Sequence, residues 1–587
     1  MKRGRKILAS LFSALLALSI GMTCATGASS NQKHWVGSWS AGMTDISITL
    51  LEGKENWDGI KISPFAKNMS ARIRMTPTLG GDKVRFSLSN ENGRNPLIIN
   101  EVAVARAKGD AGAEIVEGTS IPVTFDGKRQ VTIPAGETIT CDPIDMQVTA
   151  LEDLCVSYYI ENFSEVQTMA LHGGTTYLTL GNQVENTKFY GIGLSFGSLV
   201  SVVPLLCGMD VYADSDAYSI VVIGDSTMSN DIPKKLAQRI IEETGENKVG
   251  VLQKSIVGNC LLSDGTGLTG SIYGKAMINR FQKDALDQPG VQYILLKIGL
   301  NDILHPRCKS MAGKVPEPTV EELIAGYQQL IEKAHAADVK IILADMSPWK
   351  GYTRDLLHTG NADLEWTQEA QDECDALAEW IRSTDLADGY INLDCLKDPA
   401  DPTKMPDGYT EDGAHLLAPA QDAFVGAIDL SLFGIGGGEE DMTGSTETVS
   451  ETASDPTESA SDTTEPAPGT TETETTSQTD PETENTTEPE TAAPSDPETA
   501  VTAGEDETSD TTAEIPSTVP STSESAENSE GAGSVSDPST TAEYDRTTAT
   551  GQSSDASNVE TGDSLTAAGI ALTAISAIGL LVTVKKK

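Results

Sequence analysis

Histidine is scarce in this chain, with six residues in 587, so any chemistry that needs an imidazole base has few candidates. Basic residues are also few. Lys and Arg number 41 against 87 Asp and Glu, for a formal net charge of -46, and no basic cluster offers a footprint for nucleic acid. Cysteine is sparse as well. Of eight, Cys24 lies in the first thirty residues, leaving Cys141, Cys155, Cys207, Cys260, Cys308, Cys374 and Cys395. An odd number cannot pair fully and no Cys-x-x-Cys occurs, so free buried thiols are expected. No HExxH, P-loop or zinc-ligand spacing is present, and neither a metal nor a cofactor is expected.

The acidity is concentrated in one segment. Residues 439–563 carry 32 acidic side chains against a single basic one, Arg546. There Thr, Ser, Glu, Asp and Pro dominate, Tyr544 is the one aromatic and Ile515 the one Leu or Ile. Such a composition buries too little apolar area to offset chain entropy, so residues 438–562 are expected to form a disordered stalk. As a coil it would span about 60 Å, and fully extended about 400 Å.

Both ends of the chain read as targeting segments. Residues 1–28 run from MKRGRK through an apolar stretch to small residues, the pattern of a secretory signal peptide, with a retained membrane anchor as the alternative. Residues 563–587 contain an uncharged run from Leu565 to Val584, long enough to cross a bilayer, followed by Lys585, Lys586 and Lys587. The preceding NVETGD resembles the sorting signal of Gram-positive surface proteins, which implies a cut between Thr561 and Gly562; a permanent transmembrane anchor is the alternative. Either way, tethering outside the membrane to cell wall or lipid is expected.

Between these ends, two periodicities follow one another. Residues 34–212 alternate as strands do, in RIRMTPT, KVRFSLSN, PLIINEVAVARA, RQVTIPAG and LCVSYYIEN, with turns at Glu91-Asn92-Gly93 and Ala135-Gly136; a β-sandwich is expected. Residues 216–435 alternate strand and helix. YSIVVIG, KVGVLQKS, VQYILLKIG, VKIILADM and GYINLD are nearly continuous apolar runs, suited to parallel strands buried on both faces. Val320, Leu323, Ile324, Tyr327, Leu330, Ile331 and Ala334 make a helical stripe.

Chemistry gathers at the ends of those strands. Ser226 follows Ile223-Gly224-Asp225 and precedes a helix whose Ile232, Leu236 and Ile240 share a face. A serine hydroxyl is a poor nucleophile until a base takes its proton, a carboxylate orients the base and donors meet the oxyanion. Asp412-Gly413-Ala414-His415 supplies carboxylate and imidazole within one loop. Gly258 ends the second strand region, where a backbone N–H can approach a carbonyl, and Asn301 ends the third with a side-chain amide. Each motif alone is an ordinary turn; four at successive strand ends are a site.

Together these residues resemble the SGNH, or GDSL, hydrolase superfamily, whose name matches Ser226, Gly258, Asn301 and His415. The upstream WVGSW, FSLSNENGRNPLIINEVAVA and TIPAGETITCDPIDMQV resemble the β-domain preceding the catalytic domain in a secreted bacterial branch. The resemblance implies a three-layer α/β/α, flavodoxin-like domain and metal-free hydrolysis of esters in carbohydrates, lipids or small acyl compounds. It assigns Ser226, His415 and Asp412 as catalytic, and the N–H groups of Ser226 and Gly258 with the Asn301 amide as the oxyanion hole. The sequence departs from the family at Thr227-Met228-Ser229-Asn230 after Gly-Asp-Ser and at Gln253, where Asn is common. An acylated carbohydrate is the expected substrate; a lipase or lysophospholipase, or a non-catalytic glycan-binding adhesin, is the alternative.

The remaining features are assigned by context. Gly193-Leu194-Ser195-Phe196-Gly197 fits a G-x-S-x-G elbow but lacks a buried strand before it, so a surface turn is expected. His34, His172 and His335 are expected to be structural. His305 is either a cleft residue or a turn, and His358 is uninformative. Trp349, Tyr352 and Trp366 offer either stacking for a sugar ring or loop packing.

Overall fold

The computed structural model describes residues 32–436, apart from 51–59, 197–199, 230, 266–269 and 356–359. The expected leader, stalk and terminal apolar run, together with His358, lie outside the described residues. Among the described residues no helix is long and apolar enough to cross a membrane.

The parallel sheet has five strands: β1 (Tyr218–Gly224), β2 (Val249–Gln253), β3 (Val291–Lys297), β4 (Lys340–Ala344) and β5 (Gly389–Ile391), in the order β2-β1-β3-β4-β5. All five are the apolar runs expected from sequence. Their alternate side chains enter two different cores. Val221, Ile223, Ile294 and Leu296 face one side with Tyr327 and Leu377, while Ile220, Val222 and Leu295 face the other with Leu236 and Phe424. Helices therefore cover both faces: α2 (Val320–Ala336) and α3 (Gln368–Ser383) one, α1 (Ile232–Thr244) and α4 (Ala418–Gly426) the other. The start of α2 is set by a capping box, with the Thr319 side chain accepting from Glu322 N and the Glu322 carboxylate accepting from Thr319 N. α1 begins with Pro233 near its N-terminus and ends at Gly245 in the left-handed conformation.

The preceding residues are all antiparallel. A four-stranded sheet orders His34–Ser40, Leu206–Ala213, Val84–Ser89 and Thr138–Thr140; a nine-stranded sheet includes Glu101–Arg106, Leu154–Ile160, Met69–Met75, Thr175–Leu180 and Thr168–Leu171. Val36, Phe86, Leu88 and Met209 from the first meet Ile73, Val104, Val156 and Met169 from the second in one core, which is sandwich packing.

This antiparallel region also closes the open edge of the parallel sheet. Thr78 Oγ1 accepts from Val251 N at 2.8 Å and donates to Val251 O at 3.1 Å, so β2 does not present a bare edge there. Gly37 and Gly250 let the two backbones meet: a Cβ on Gly250 would stand 2.0 Å from Gly37 O. The contact continues beyond the strand, where Ser40 Oγ donates to Gln253 O at 3.0 Å and the Lys254 ammonium donates to Ala41 O and Cys207 O at 3.4 and 3.3 Å.

The Gly193–Gly197 motif is corrected by the fold. Ser195 lies in strand Ile192–Phe196, paired antiparallel with Thr175–Leu180 and Val200–Pro204, and is not in a turn. Gly197 lies outside the described residues.

Candidate active site

β1 lies between β2 and β3, so the loops leaving these three strands meet at their carboxyl ends, where open α/β sheets bind ligands. Gly224 ends β1 because nothing larger fits: a Cβ there would be 2.0 Å from Lys297 O on β3. Asp225 then caps a short 3-10 turn, Ser226–Met228, accepting from Thr227 N at 2.9 Å and Thr227 Oγ1 at 2.7 Å. Beneath the turn the buried Lys297 ammonium donates to Thr227 Oγ1 at 2.6 Å. Burial lowers the Lys297 pKa, against the opposing pull of Asp225 and Asp345. This scaffold leaves the Ser226 side chain partly exposed at the head of the turn.

His415 reaches Ser226 from the loop before α4. Its Nε2 is 2.9 Å from Ser226 Oγ and its Nδ1 is 2.6 Å from Asp412 Oδ2. An ionised carboxylate only accepts, so Nδ1 carries the proton, and Nε2 of the neutral ring accepts from the Ser226 hydroxyl. Asp412 is itself held by its second oxygen, which accepts from His415 N at 2.9 Å, Ala414 N at 3.0 Å and Thr410 Oγ1 at 3.2 Å. Burial acts to raise the Asp412 pKa, but the His415 ring and these backbone donors outweigh it and hold the carboxyl well below its usual range. A depressed carboxyl pKa stabilises the fold above the unfolded value and loses that contribution as pH falls through the folded one. Asp412 therefore stays ionised through mildly acidic conditions. About a third of each side chain, 36% for His415 and 35% for Asp412, faces solvent, so the bonded chain is accessible from outside.

Residues 220–428 match the family described as GDSL-like lipase/acylhydrolase. They form a GDSL-like acylhydrolase domain. Membership makes it a carboxylic ester hydrolase. Two solved structures are similar to part of the chain. A GDSL-like lipase from Bacteroides thetaiotaomicron is 15% identical over 37% of this chain and 88% of that one, with a TM-score of 0.26. A catalytic mutant of Axe2, an acetylxylan esterase from Geobacillus stearothermophilus, is 15% identical over 37% of this chain and 94% of that one, with a TM-score of 0.28. Likenesses of this size say nothing about substrate. No curated protein matches the chain.

In the acylhydrolase domain, Gly258 lies in the loop after β2 and Asn301 in the short helix Leu300–Leu304 after β3, on either side of the turn that carries Ser226. Gly258 is buried with φ +69°, and a Cβ would stand 2.2 Å from the Tyr273 ring, so both conformation and space require glycine. Asn301 Nδ2 donates one hydrogen to Asn259 O at 3.1 Å, which places its amide against the residue after Gly258 and leaves a second N–H. The neighbouring Asp302 holds the same loop, accepting from Leu261 N at 2.7 Å and Leu262 N at 3.0 Å. Burial pushes the Asp302 pKa up to about 7, opposed by those two amides.

Several supports have no clear signature in the sequence. Buried Arg280 donates to Gly224 O at 3.1 Å, Lys254 O at 2.7 Å and Asn259 Oδ1 at 3.0 Å, tying the ends of β1 and β2 together. Gln253, the residue that departs from the family pattern, donates to Met228 O at 2.8 Å and accepts from Ser255 N at 2.7 Å, linking the Ser226 turn to the Gly258 loop. The departure at Thr227 is likewise structural, since its hydroxyl joins Asp225 to Lys297.

The other histidines separate cleanly. His335 pairs with Asp388 on the surface at 2.9 Å, as expected of a structural residue. His305 is buried against Tyr273 and 3.5 Å from Cys260 Sγ, so it backs the Gly258 loop and is not an exposed turn. Burial pushes His305 down to about 3 and the Cys260 thiol well up, so both are neutral and the thiol is not activated. His172 follows the antiparallel strand Thr168–Leu171. Burial, then the charge of His415, pushes the His172 imidazole down to about 4.

Sugar stacking on Trp349 is excluded, because Trp349 is fully buried, and the Trp366 ring is covered by the Lys350 ammonium at 4.5 Å. Tyr352 does lie at the site, edge-on to His415 with ring centres 5.7 Å apart. All seven described cysteines are free, and among the described residues no cluster of His, Cys, Asp and Glu could hold a metal ion.

Proposed function

We propose that the acylhydrolase domain is a serine esterase that removes small acyl groups, acetyl foremost, from polar and carbohydrate-type esters outside the cell, with Ser226, His415 and Asp412 as its catalytic triad. The observation that carries the reading is the unbroken Ser226–His415–Asp412 chain, at 2.9 and 2.6 Å. In this mechanism Ser226 Oγ attacks the ester carbonyl carbon while its proton passes to His415 Nε2, and Asp412 stabilises the imidazolium. The oxyanion accepts from the N–H groups of Ser226 and Gly258 and from the second N–H of Asn301. The C–O bond breaks and His415 returns the proton to the departing alcohol. A water then repeats the sequence on the acyl-serine, yielding the free acid and restoring the hydroxyl.

The lipase reading is disfavoured by the surroundings. Among the described residues, the exposed large hydrophobics are Ile98, Val116, Phe163, Tyr190, Ile192, Leu386 and Tyr390, none of them in the loops that carry Ser226, Gly258, Asn301 or His415. Secretion and surface tethering are supported by the two terminal segments of the sequence. On this reading kcat/KM falls steeply between acetyl and octanoyl p-nitrophenyl esters, and acetate is released from acetylated polysaccharide; a maximum at octanoyl or longer would establish the lipase instead.

Asn301→Ala tests the oxyanion assignment separately. Losing one donor costs about 2.7–4 kcal/mol of barrier, so kcat should drop about 10²–10³-fold. A rate within threefold of wild type would remove Asn301 from the hole.

A further inference from the structure

The three donors of the oxyanion hole come from separate segments of chain, and one buried side chain is bonded next to all of them. Arg280 sits on the short helix Met277–Phe281, outside the segments that carry the donors, and its side chain is 5% exposed. Its Nη2 donates to Gly224 O at 3.1 Å, two residues before Ser226; its Nη1 donates to Lys254 O at 2.7 Å, four residues before Gly258; its Nε donates to Asn259 Oδ1 at 3.0 Å. Three nitrogens of one rigid plane thus hold three points of the chain.

Asn259 carries that order to the third donor. It is fully buried, and its Nδ2 gives both hydrogens away, to Tyr273 O and Lys275 O at 2.7 Å each, so its Oδ1 must face Arg280. Its backbone oxygen accepts one hydrogen of Asn301 Nδ2 at 3.1 Å. Among the described residues this is the one hydrogen bond made by the Asn301 side chain, and in a planar amide it also fixes where the second hydrogen points.

Charge balance alone does not account for a guanidinium here. Asp284, one turn along, meets Nη1 at 3.1 Å, and Lys283 lies 3.7 Å from the other oxygen of the same carboxylate while pairing with Glu91 of the antiparallel region. An ammonium would neutralise Asp284 equally well. The fork of an arginine is needed for the three neutral oxygens, and those are the points that set the hole.

We propose that Arg280 is a positioning residue for the oxyanion hole: through Asn259 it aims the Asn301 amide, and through Gly224 and Lys254 it spaces the Ser226 turn from the Gly258 loop. The inference rests on the esterase reading above and adds to it a residue that touches neither the substrate nor the triad.

The test is Arg280→Lys in the full-length protein, assayed on p-nitrophenyl acetate. The lysine keeps a charge for Asp284 but cannot reach all three oxygens, so kcat should fall about 10–100-fold with KM within about twofold, the mark of donors misplaced for the transition state alone. Asn259→Ala leaves the guanidinium its bonds to Gly224, Lys254 and Asp284 and cuts only its link to Asn301. It should lower kcat about tenfold at unchanged KM, and it decides the matter where Arg280→Lys does not fold. Coupling to Asn301→Ala separates positioning from general support. In that background either substitution should cost kcat no more than about threefold, because the amide being aimed is gone. A kcat within threefold of wild type in both single variants, the same loss in both backgrounds, or a loss confined to KM would overturn the proposal. Absence of any Ser226-dependent hydrolysis by the wild-type protein would instead remove the esterase reading on which it stands.

Discussion

Ser226→Ala should lower kcat on p-nitrophenyl acetate by about 10⁴–10⁶-fold, the range found when the nucleophile of a bonded triad is removed. The reason is geometric. Ser226 supplies the only hydroxyl bonded to His415 Nε2 among the described residues, so no neighbour takes over the attack. Stability should change by less than about 0.5 kcal/mol, because the hydroxyl is partly exposed and water can replace it at the imidazole. Thermal melts beside steady-state kinetics separate the two effects. Ser195→Ala serves as the matched control, since Ser195 lies in an antiparallel strand with no helix to aim it, and it should retain wild-type turnover. Retention of a tenth or more of the activity in Ser226→Ala would end the assignment.

Asp412→Asn should cost about 10⁴-fold in kcat through the tautomer of His415. Asp412 Oδ1 accepts from two backbone amides and the Thr410 hydroxyl, so an asparagine keeps its carbonyl oxygen there. Its NH₂ group then occupies the place of Oδ2 and donates to Nδ1. The ring must carry its proton on Nε2, where it can no longer accept from Ser226. Because Oδ1 keeps its donors, the loop should hold its shape, and a crystal structure of the variant should superimpose on wild type around His415. Activity within tenfold of wild type would show that Asp412 does not set the tautomer. The same carboxylate bears on pH. With its pKa held below the usual range, protonation of Asp412 does not set the acid limb of the pH–rate profile.

Much of this was legible in the sequence because strand and helix leave local periodic marks. Each apolar run became a strand of the parallel sheet, the stripe from Val320 to Ala334 became α2, and Gly224 before Asp225 and Ser226 marked a strand ending in a tight turn. Polar residues inside apolar stretches were harder to interpret. Arg280, Lys297 and Asp302 are buried and hydrogen-bonded, yet in sequence each is a charged residue like many others, since its partners come from distant parts of the chain. Trp349 is the converse case: its neighbours left stacking on a sugar and packing of a loop equally open, and only the fold shows its ring enclosed by the core.

The sequence by itself determined the kinds of group present, the strand ends that carry them and the class of fold, because periodicity and turn chemistry are properties of neighbouring residues. Tertiary structure decided which imidazole meets Ser226 across 189 positions of chain, and that the antiparallel region bonds to the edge of the parallel sheet at Val251. Those pairings depend on strand order and on one region packing against another, and such long-range contacts leave no local pattern to read.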